Sequence, residues 1–82
     1  MEPQYQTLKT IYNIVKNENN PLSYPLSLRE ILVRELWGWD VIQKHLNQLV
    51  QEELITMKQL DMYIISITQA GLNKFQEENQ YV

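Results

Sequence analysis

Residues 40–71, with the sequence DVIQKHLNQLVQEELITMKQLDMYIISITQAG, constrain the fold of this chain more than any other segment. Apolar residues recur every three or four positions from Ile42 to Leu49, which predicts an amphipathic helix. After Leu54 the pattern becomes β-branched and aromatic, which predicts strands up to Thr68. A second helical pattern follows directly. The segment therefore predicts a short β-hairpin held between two helices.

Three helix starts are predicted from local signals. Ser27 and Glu30 match the S-x-x-E capping box, in which each residue bonds the backbone N–H of the other. Asp40 and Gln43 match the related D-x-x-Q pattern, and Thr68 stands where a cap would start the last helix. The predicted elements are helices over residues 3–18, 27–36, 40–53 and 68–79, a hairpin over 54–67 with its turn at 59–61, and a short strand or loop over 21–25.

These elements predict one α+β domain over residues 1–82, in the order H1-(β)-H2-H3-β-β-H4. The chain has 82 residues, of which 44% are hydrophobic. We therefore expect one packed core that needs no disulfide or metal ion to stabilise it. It has no cysteine, which excludes disulfides and thiolate chemistry. His45, the only histidine, lacks companions for a metal site or a catalytic base, and we expect it between core and solvent. We predict no enzyme activity, no metal and no cofactor.

The pattern of hydrophobicity also bears on location. No apolar run approaches the roughly 20 residues needed to span a bilayer, and the chain does not start with a basic segment followed by an apolar one. We therefore expect a cytoplasmic protein without membrane contact.

The charge disfavours strong nonspecific binding to nucleic acid. The formal net charge is −3 and the pI is about 5.0, whereas proteins that grip DNA neutralise phosphates with Lys and Arg. Between residues 26 and 63 four basic side chains face six acidic ones. The basic residues are Arg29, Arg34, Lys44 and Lys58; the acidic ones are Glu30, Glu35, Asp40, Glu52, Glu53 and Asp61.

Two stretches of the chain resemble a known family. VIQKHLNQL over residues 41–49, followed by Glu53-Leu54-Ile55, resembles the recognition helix of bacterial winged helix-turn-helix regulators. The pattern Tyr63-x-x-x-Ile67-Thr68-x-x-Gly71 resembles the end of their wing. The MarR-like and PadR-like groups are the most similar, over about residues 26–75. Glu53 stands where the family usually has glycine, Gln43 and Lys44 replace a Ser/Thr-Arg pair, and the wing has one positive charge.

The resemblance implies a small winged-helix fold and a sequence-specific DNA-binding transcriptional regulator. The helix over residues 40–53 would enter the major groove, and the hairpin over 58–61 would touch the flanking backbone or minor groove. Lys44 suits a phosphate or a guanine, and amide side chains suit base edges. The predicted DNA-binding residues are Gln43, Lys44, Asn47, Gln48, Gln51 and Lys58. The partner would be double-stranded DNA, bound by a homodimer formed through helices 1 and 4.

Two other functions stay open. Acidic charge and a weakly basic wing also suit a winged helix that binds proteins and not DNA. Of Trp37 and Trp39, we expect one to pack in the core and Trp39 to be exposed, where a protein partner could contact it. Tyr5 and Tyr12 are expected in the core or at the dimer surface. The third possibility is a small ligand-responsive domain with no direct DNA role.

Overall fold

The N-terminal helix packs its apolar stripe against the rest of the chain. The computed structural model of this protein describes residues 2–79, with side chains described as far as Phe75. Helix α1 spans Pro3–Val15, with the proline in the first turn, where a missing N–H costs no hydrogen bond. It ends earlier than residue 18, because a tight turn bonds the Glu18 N–H to the Val15 carbonyl. Leu8, Ile11 and Val15 are fully buried.

Residues 21–25, predicted to form a short strand or a loop, do not form a strand. Pro21–Ser23 forms one turn of 3-10 helix, and the strand β1 follows at Leu26–Ser27. Helix α2, Leu28–Leu32, then begins at the predicted capping box. The Ser27 N–H donates to Glu30 Oε2 at 2.9 Å, and the Glu30 N–H donates to Ser27 Oγ at 3.3 Å.

Helix α2 is shorter than predicted. It ends at Leu32, with Val33 as its C-cap, and not at residue 36. Leu36, the last residue of the predicted helix, is fully exposed. The chain between α2 and the next helix is a loop whose Trp37 packs edge-on against His45 of that helix, with ring centroids 4.8 Å apart.

The third helix, α3, spans Trp39–Gln51 and begins one residue before the predicted start. Its N-cap is Gly38, so the predicted capping box of Asp40 and Gln43 is wrong: no side chain caps this end. The Ile42 N–H bonds the Gly38 carbonyl at 3.1 Å, which puts Asp40 inside the first turn. The helix ends two residues before the predicted residue 53.

A β-hairpin follows, with strands β2, Ile55–Gln59, and β3, Tyr63–Ile67. Gln59 pairs with Tyr63, so the connecting loop is 60–62, one residue beyond the predicted turn. β1 pairs antiparallel with the other side of β3, giving a three-stranded sheet of order β1-β3-β2.

Helix α4, Gln69–Asn79, completes the described chain. The predicted cap at Thr68 is confirmed, since its Oγ1 accepts a hydrogen bond from the Gly71 N–H at 3.1 Å. Residues 80–82 lie outside the described residues.

The core lies between one face of the sheet and the four helices, with Ile31 contributed by α2. Within residues 2–79 the architecture is thus α+β, with four α-helices and a three-stranded antiparallel sheet. None of these helices has the length and apolar character that crossing a bilayer requires. The buried hydrophobic residues are Leu8, Ile11, Val15, Leu26, Ile31, Ile42, Leu46, Leu49, Leu54, Ile55, Ile65, Ile67, Leu72 and Phe75.

Candidate nucleic-acid interface

Helix α3 separates a buried face from an exposed polar face. Apolar side chains and His45 occupy the inner face, at three- and four-residue spacing. The outer face carries five of the six residues that the sequence predicts to contact DNA, and all five are exposed. These residues are Gln43, Lys44, Asn47, Gln48 and Gln51. The structure therefore brings them together on one surface.

The sixth predicted residue, Lys58, lies on a different element. It is exposed on β2 and pairs with Ile64 of β3. The hairpin reaches the start of α3 through Tyr63, whose ring centroid lies 6.4 Å from that of Trp39. The loop end of the hairpin therefore lies close to the N-terminal turn of α3.

Carboxylates accompany both lysines. Asp40 is exposed in the first turn of α3, one helical turn before Lys44, and Asp61 is exposed in the hairpin loop beyond Lys58. The negative charge of Asp40 interacts favourably with the positive end of the helix dipole. At this end of the domain, two lysines are therefore accompanied by two aspartates. The positive and negative charges balance, and this part of the surface has no excess of positive charge.

The opposite end of α3 is tied to α1 through the carboxylate of Glu52. The Tyr5 hydroxyl donates a hydrogen bond to Glu52 Oε1, and Gln4 Nε2 donates to Glu52 Oε2 at 3.4 Å. The bond to Glu52 raises the pKa of Tyr5 to about 12, because loss of the phenolic proton would remove it. Lys74 Nζ of α4 lies 4.0 Å from the centroid of the Tyr5 ring.

His45 is buried, which corrects the expectation that it lies between core and solvent. Its side chain is 6% exposed and Nδ1 lies 2.8 Å from Thr7 Oγ1 of α1. Burial lowers the pKa of His45, because the charged imidazolium loses solvation, while the nearby charge of Glu35 opposes this effect. His45 therefore joins α3 to α1 and does not face the candidate surface.

Neither tryptophan packs in the core, so the expectation that one of the two would be buried there is wrong. Trp37 and Trp39 are each 37% exposed, and each lies against one aromatic side chain on a different side of α3. The expectation of an exposed Trp39 is confirmed.

The exposure of several large apolar side chains was not predicted. Leu60 and Met62, in the hairpin loop, are 69% and 63% exposed, and Leu36 is fully exposed in the loop before α3. A signal for Leu60 was present, since the predicted turn over 59–61 contained this leucine where turns favour Gly, Asn or Asp. The exposure of Leu36 had no such signal, because its spacing continues the helical pattern of α2.

The described side chains do not match the pattern of a metal site. No group of three or more His, Cys, Asp or Glu residues there is arranged to hold a metal ion. The chemistry that the surface of α3 offers is hydrogen bonding by amides, together with one ammonium group.

Comparison of the chain with protein-family models, with curated proteins and with solved structures finds no match.

Proposed function

We propose that this protein is a winged-helix DNA-binding domain that acts as a sequence-specific transcriptional regulator. The observation that carries the proposal is the row of exposed amides and one lysine along the outer face of α3, beside a two-stranded hairpin. The element order and the strand order β1-β3-β2 support it, because a winged helix needs a short strand before α2 to hold the hairpin against the helices.

The chemistry of the surface favours reading bases over holding phosphates. Asparagine and glutamine both donate and accept hydrogen bonds, and an amide can bond two positions of an adenine in the major groove. Gln43, Asn47 and Gln48 are exposed on α3 and supply such groups. With only Lys44 and Lys58 available for phosphates at this surface, we expect a weak dependence of affinity on salt.

A homodimer would strengthen binding by placing two α3 helices on two half-sites. We expected the dimer to form through α1 and α4, but several of their apolar side chains are buried within the same chain. Tyr12 of α1 and Phe75 of α4, for example, have ring centroids 5.4 Å apart. A dimer through α1 and α4 would thus use their outer faces, where Lys9, Asn13 and Asn73 are exposed.

The proposal is tested by selecting genomic DNA fragments with the purified full-length chain at low and moderate salt. Enrichment of a common sequence is the expected result. Absence of enrichment, together with no salt-dependent binding to bulk DNA, would refute the proposal.

The Lys44→Ala variant tests the role of α3 in the selected sequence. If Lys44 contacts a phosphate, its removal weakens binding and reduces the slope of log affinity against log salt by about one. The Lys16→Ala variant is the matched control, because Lys16 is also exposed but lies at the C-terminal end of α1. Equal affinities for the two variants would show that α3 is not the reading element.

A second function, protein binding without DNA, is favoured by one specific observation. The hairpin loop presents Leu60 and Met62 to solvent, with Asp61 between them. Such a tip suits an apolar contact better than a phosphate backbone. The Leu60→Ser and Met62→Ser double variant separates the two functions: it would leave DNA affinity nearly unchanged under the first and abolish partner binding under the second.

A further inference from the structure

Trp39 lies where the polar face of α3 meets the β-hairpin, and none of the proposed DNA contacts uses it. It is the first residue of α3 and stands one helical turn before Gln43, so the two side chains are neighbours on the helix surface. The indole ring also lies against Tyr63 of β3, with ring centroids 6.4 Å apart and an angle of 43° between the ring planes. An aromatic side chain therefore borders the row of amides.

The indole ring is exposed and is nevertheless held in place. Trp39 keeps 37% of its surface exposed, while Tyr63 is half-buried and pairs with Gln59 at the end of the hairpin. Contact with a ring that the sheet fixes limits the rotamers of the indole, so less side-chain entropy is lost when a ligand covers it. The exposed part of the ring is apolar surface, which an apolar group covers favourably.

DNA presents one apolar group of this kind to a helix in the major groove. In helix-turn-helix docking, the N-terminal residues of the recognition helix meet the base edges. On those edges the thymine C5-methyl is apolar, whereas the other groups are hydrogen-bond donors and acceptors, which suit amides such as Gln43. A phosphate matches the indole less well, because an uncharged side chain releases no counterion.

We propose that Trp39 is a specificity-determining residue that recognises a thymine through its C5-methyl group. The exposed part of the indole packs on the methyl, and Gln43 bonds the polar edge of a base one helical turn further along α3. The inference rests on the proposed function, and it adds that the selected DNA sequence holds a thymine opposite the first turn of α3.

The test replaces each thymine of the selected sequence in turn with deoxyuridine, which pairs in the same way but lacks the C5-methyl group. Binding of the full chain should weaken about fourfold at one thymine position, which corresponds to about 0.8 kcal/mol, the contribution of about one buried methylene group. In the complex, NMR should also show a nuclear Overhauser effect between the ring protons of Trp39 and that methyl group.

Three variants assign the effect to one side chain. Trp39→Ala should bind the thymine and the deoxyuridine sequence equally. Trp37→Ala is the matched control and should keep the fourfold difference, because Trp37 is also 37% exposed but its ring packs against His45. Val41→Ala should keep it too, although Val41 is an apolar side chain of the same turn and is 39% exposed. The backbone amide spectrum shows whether each variant is folded.

Three results would overturn the inference while leaving DNA binding intact. The first is a selected sequence in which no replacement by deoxyuridine weakens binding. The second is a fourfold difference that Trp39→Ala retains or that Val41→Ala removes. The third is the absence of the nuclear Overhauser effect, which decides the matter if Trp39→Ala does not fold. Failure of the proposed function is distinct from all three, because no sequence would then be enriched, and the inference would fall with it.

Discussion

Glu53 has a backbone conformation that suits glycine better than glutamate. Its φ is 62°, the one positive φ among the residues that the structure describes. The Leu54 N–H bonds the Leu49 carbonyl and the Glu53 N–H bonds the Val50 carbonyl, both at 3.0 Å. These two bonds form a Schellman motif that ends α3, and the residue in its left-handed position is most often glycine. Glutamate there keeps a Cβ in a strained position.

We predict that Glu53→Gly stabilises the protein by about 0.5–1 kcal/mol, since the strain removed exceeds the added flexibility of the unfolded chain. The free energy of unfolding, measured by chemical denaturation, tests this. Glu53→Ala is the control, because it also removes the carboxylate from the negative end of the helix but keeps the Cβ. A glycine variant no more stable than the alanine variant would contradict the account.

The same position shows what could be foreseen at the scale of one residue. The resemblance to winged-helix regulators marks this position as a helix-ending glycine, and the observed φ agrees with that geometry. Ser27 and Thr68 were equally predictable, because a cap depends only on residues within one turn. The true position of Asp40, inside the first turn of α3, was not predictable. The helix begins at Trp39, which packs against Tyr63, a residue far away in the sequence.

At the scale of elements, Gly71 sets how closely α4 approaches the start of the hairpin. A Cβ added here would collide with the Leu54 carbonyl oxygen and lie 2.7 Å from Ile67 Cγ1. The carbonyl is also fixed, because it accepts the Thr68 N–H at 3.0 Å. Thr68 Oγ1 donates to the Glu53 carbonyl at 2.7 Å, which holds the same junction.

We predict that Gly71→Ala destabilises the protein by about 1–3 kcal/mol, because backbone and not a flexible side chain must move. The midpoint of thermal or chemical unfolding measures this. Gly38→Ser is the matched control: an added Cβ there has no neighbour within 4 Å, and serine is a good N-cap. If Gly71→Ala lowered the stability no more than Gly38→Ser does, α4 would be able to shift without cost.

Helix lengths were harder to predict than helix positions. The periodic apolar residues of α2 continue to Leu36, yet the helix ends at Leu32. The reason is not local: the loop turns so that Trp37 meets His45 on the next helix. The hairpin was predictable, because alternating β-branched residues can bury one face only as a strand. Its partner β1, two residues long, carried no pattern of its own.

At the scale of the whole molecule, His45 connects stability to pH. It is buried where α1, α3 and the α2–α3 loop meet, among Thr7, Trp37 and the charge of Glu35. Burial lowers its pKa below the ordinary value of about 6.5. Below about pH 6.5, His45 binds a proton more readily in the unfolded chain than in the folded chain. Stability is therefore fully present above about pH 6.5 and falls as the pH decreases toward the folded pKa.

We predict that the free energy of unfolding decreases between about pH 7.5 and 5.5 in the wild type and decreases less in His45→Gln. Glutamine keeps a hydrogen-bonding group for Thr7 but does not titrate. Carboxylates contribute to both curves, so the difference between the curves reports the histidine. Parallel curves would mean that His45 has the same pKa in both states.

The fold was more predictable than the site. The α+β class and the order of elements follow from periodicity and capping, which act over a few residues. The exposed face of α3 follows from the same periodicity, so Gln43, Lys44 and Asn47 were found together. The position of Trp37 was not predictable in this way, because it depends on how the loop after α2 lies against His45 of α3.

Lys58 has a second consequence through its place in the sheet. It lies on β2, which forms one edge of the sheet, and its strand leaves backbone N–H and C=O groups without a partner on the outer side. A strand of another molecule could pair there and begin an aggregate, and a lysine on an edge strand opposes such pairing by charge repulsion and solvation. Neutralising Lys58 therefore removes a barrier to edge-to-edge association as well as a candidate contact to phosphate.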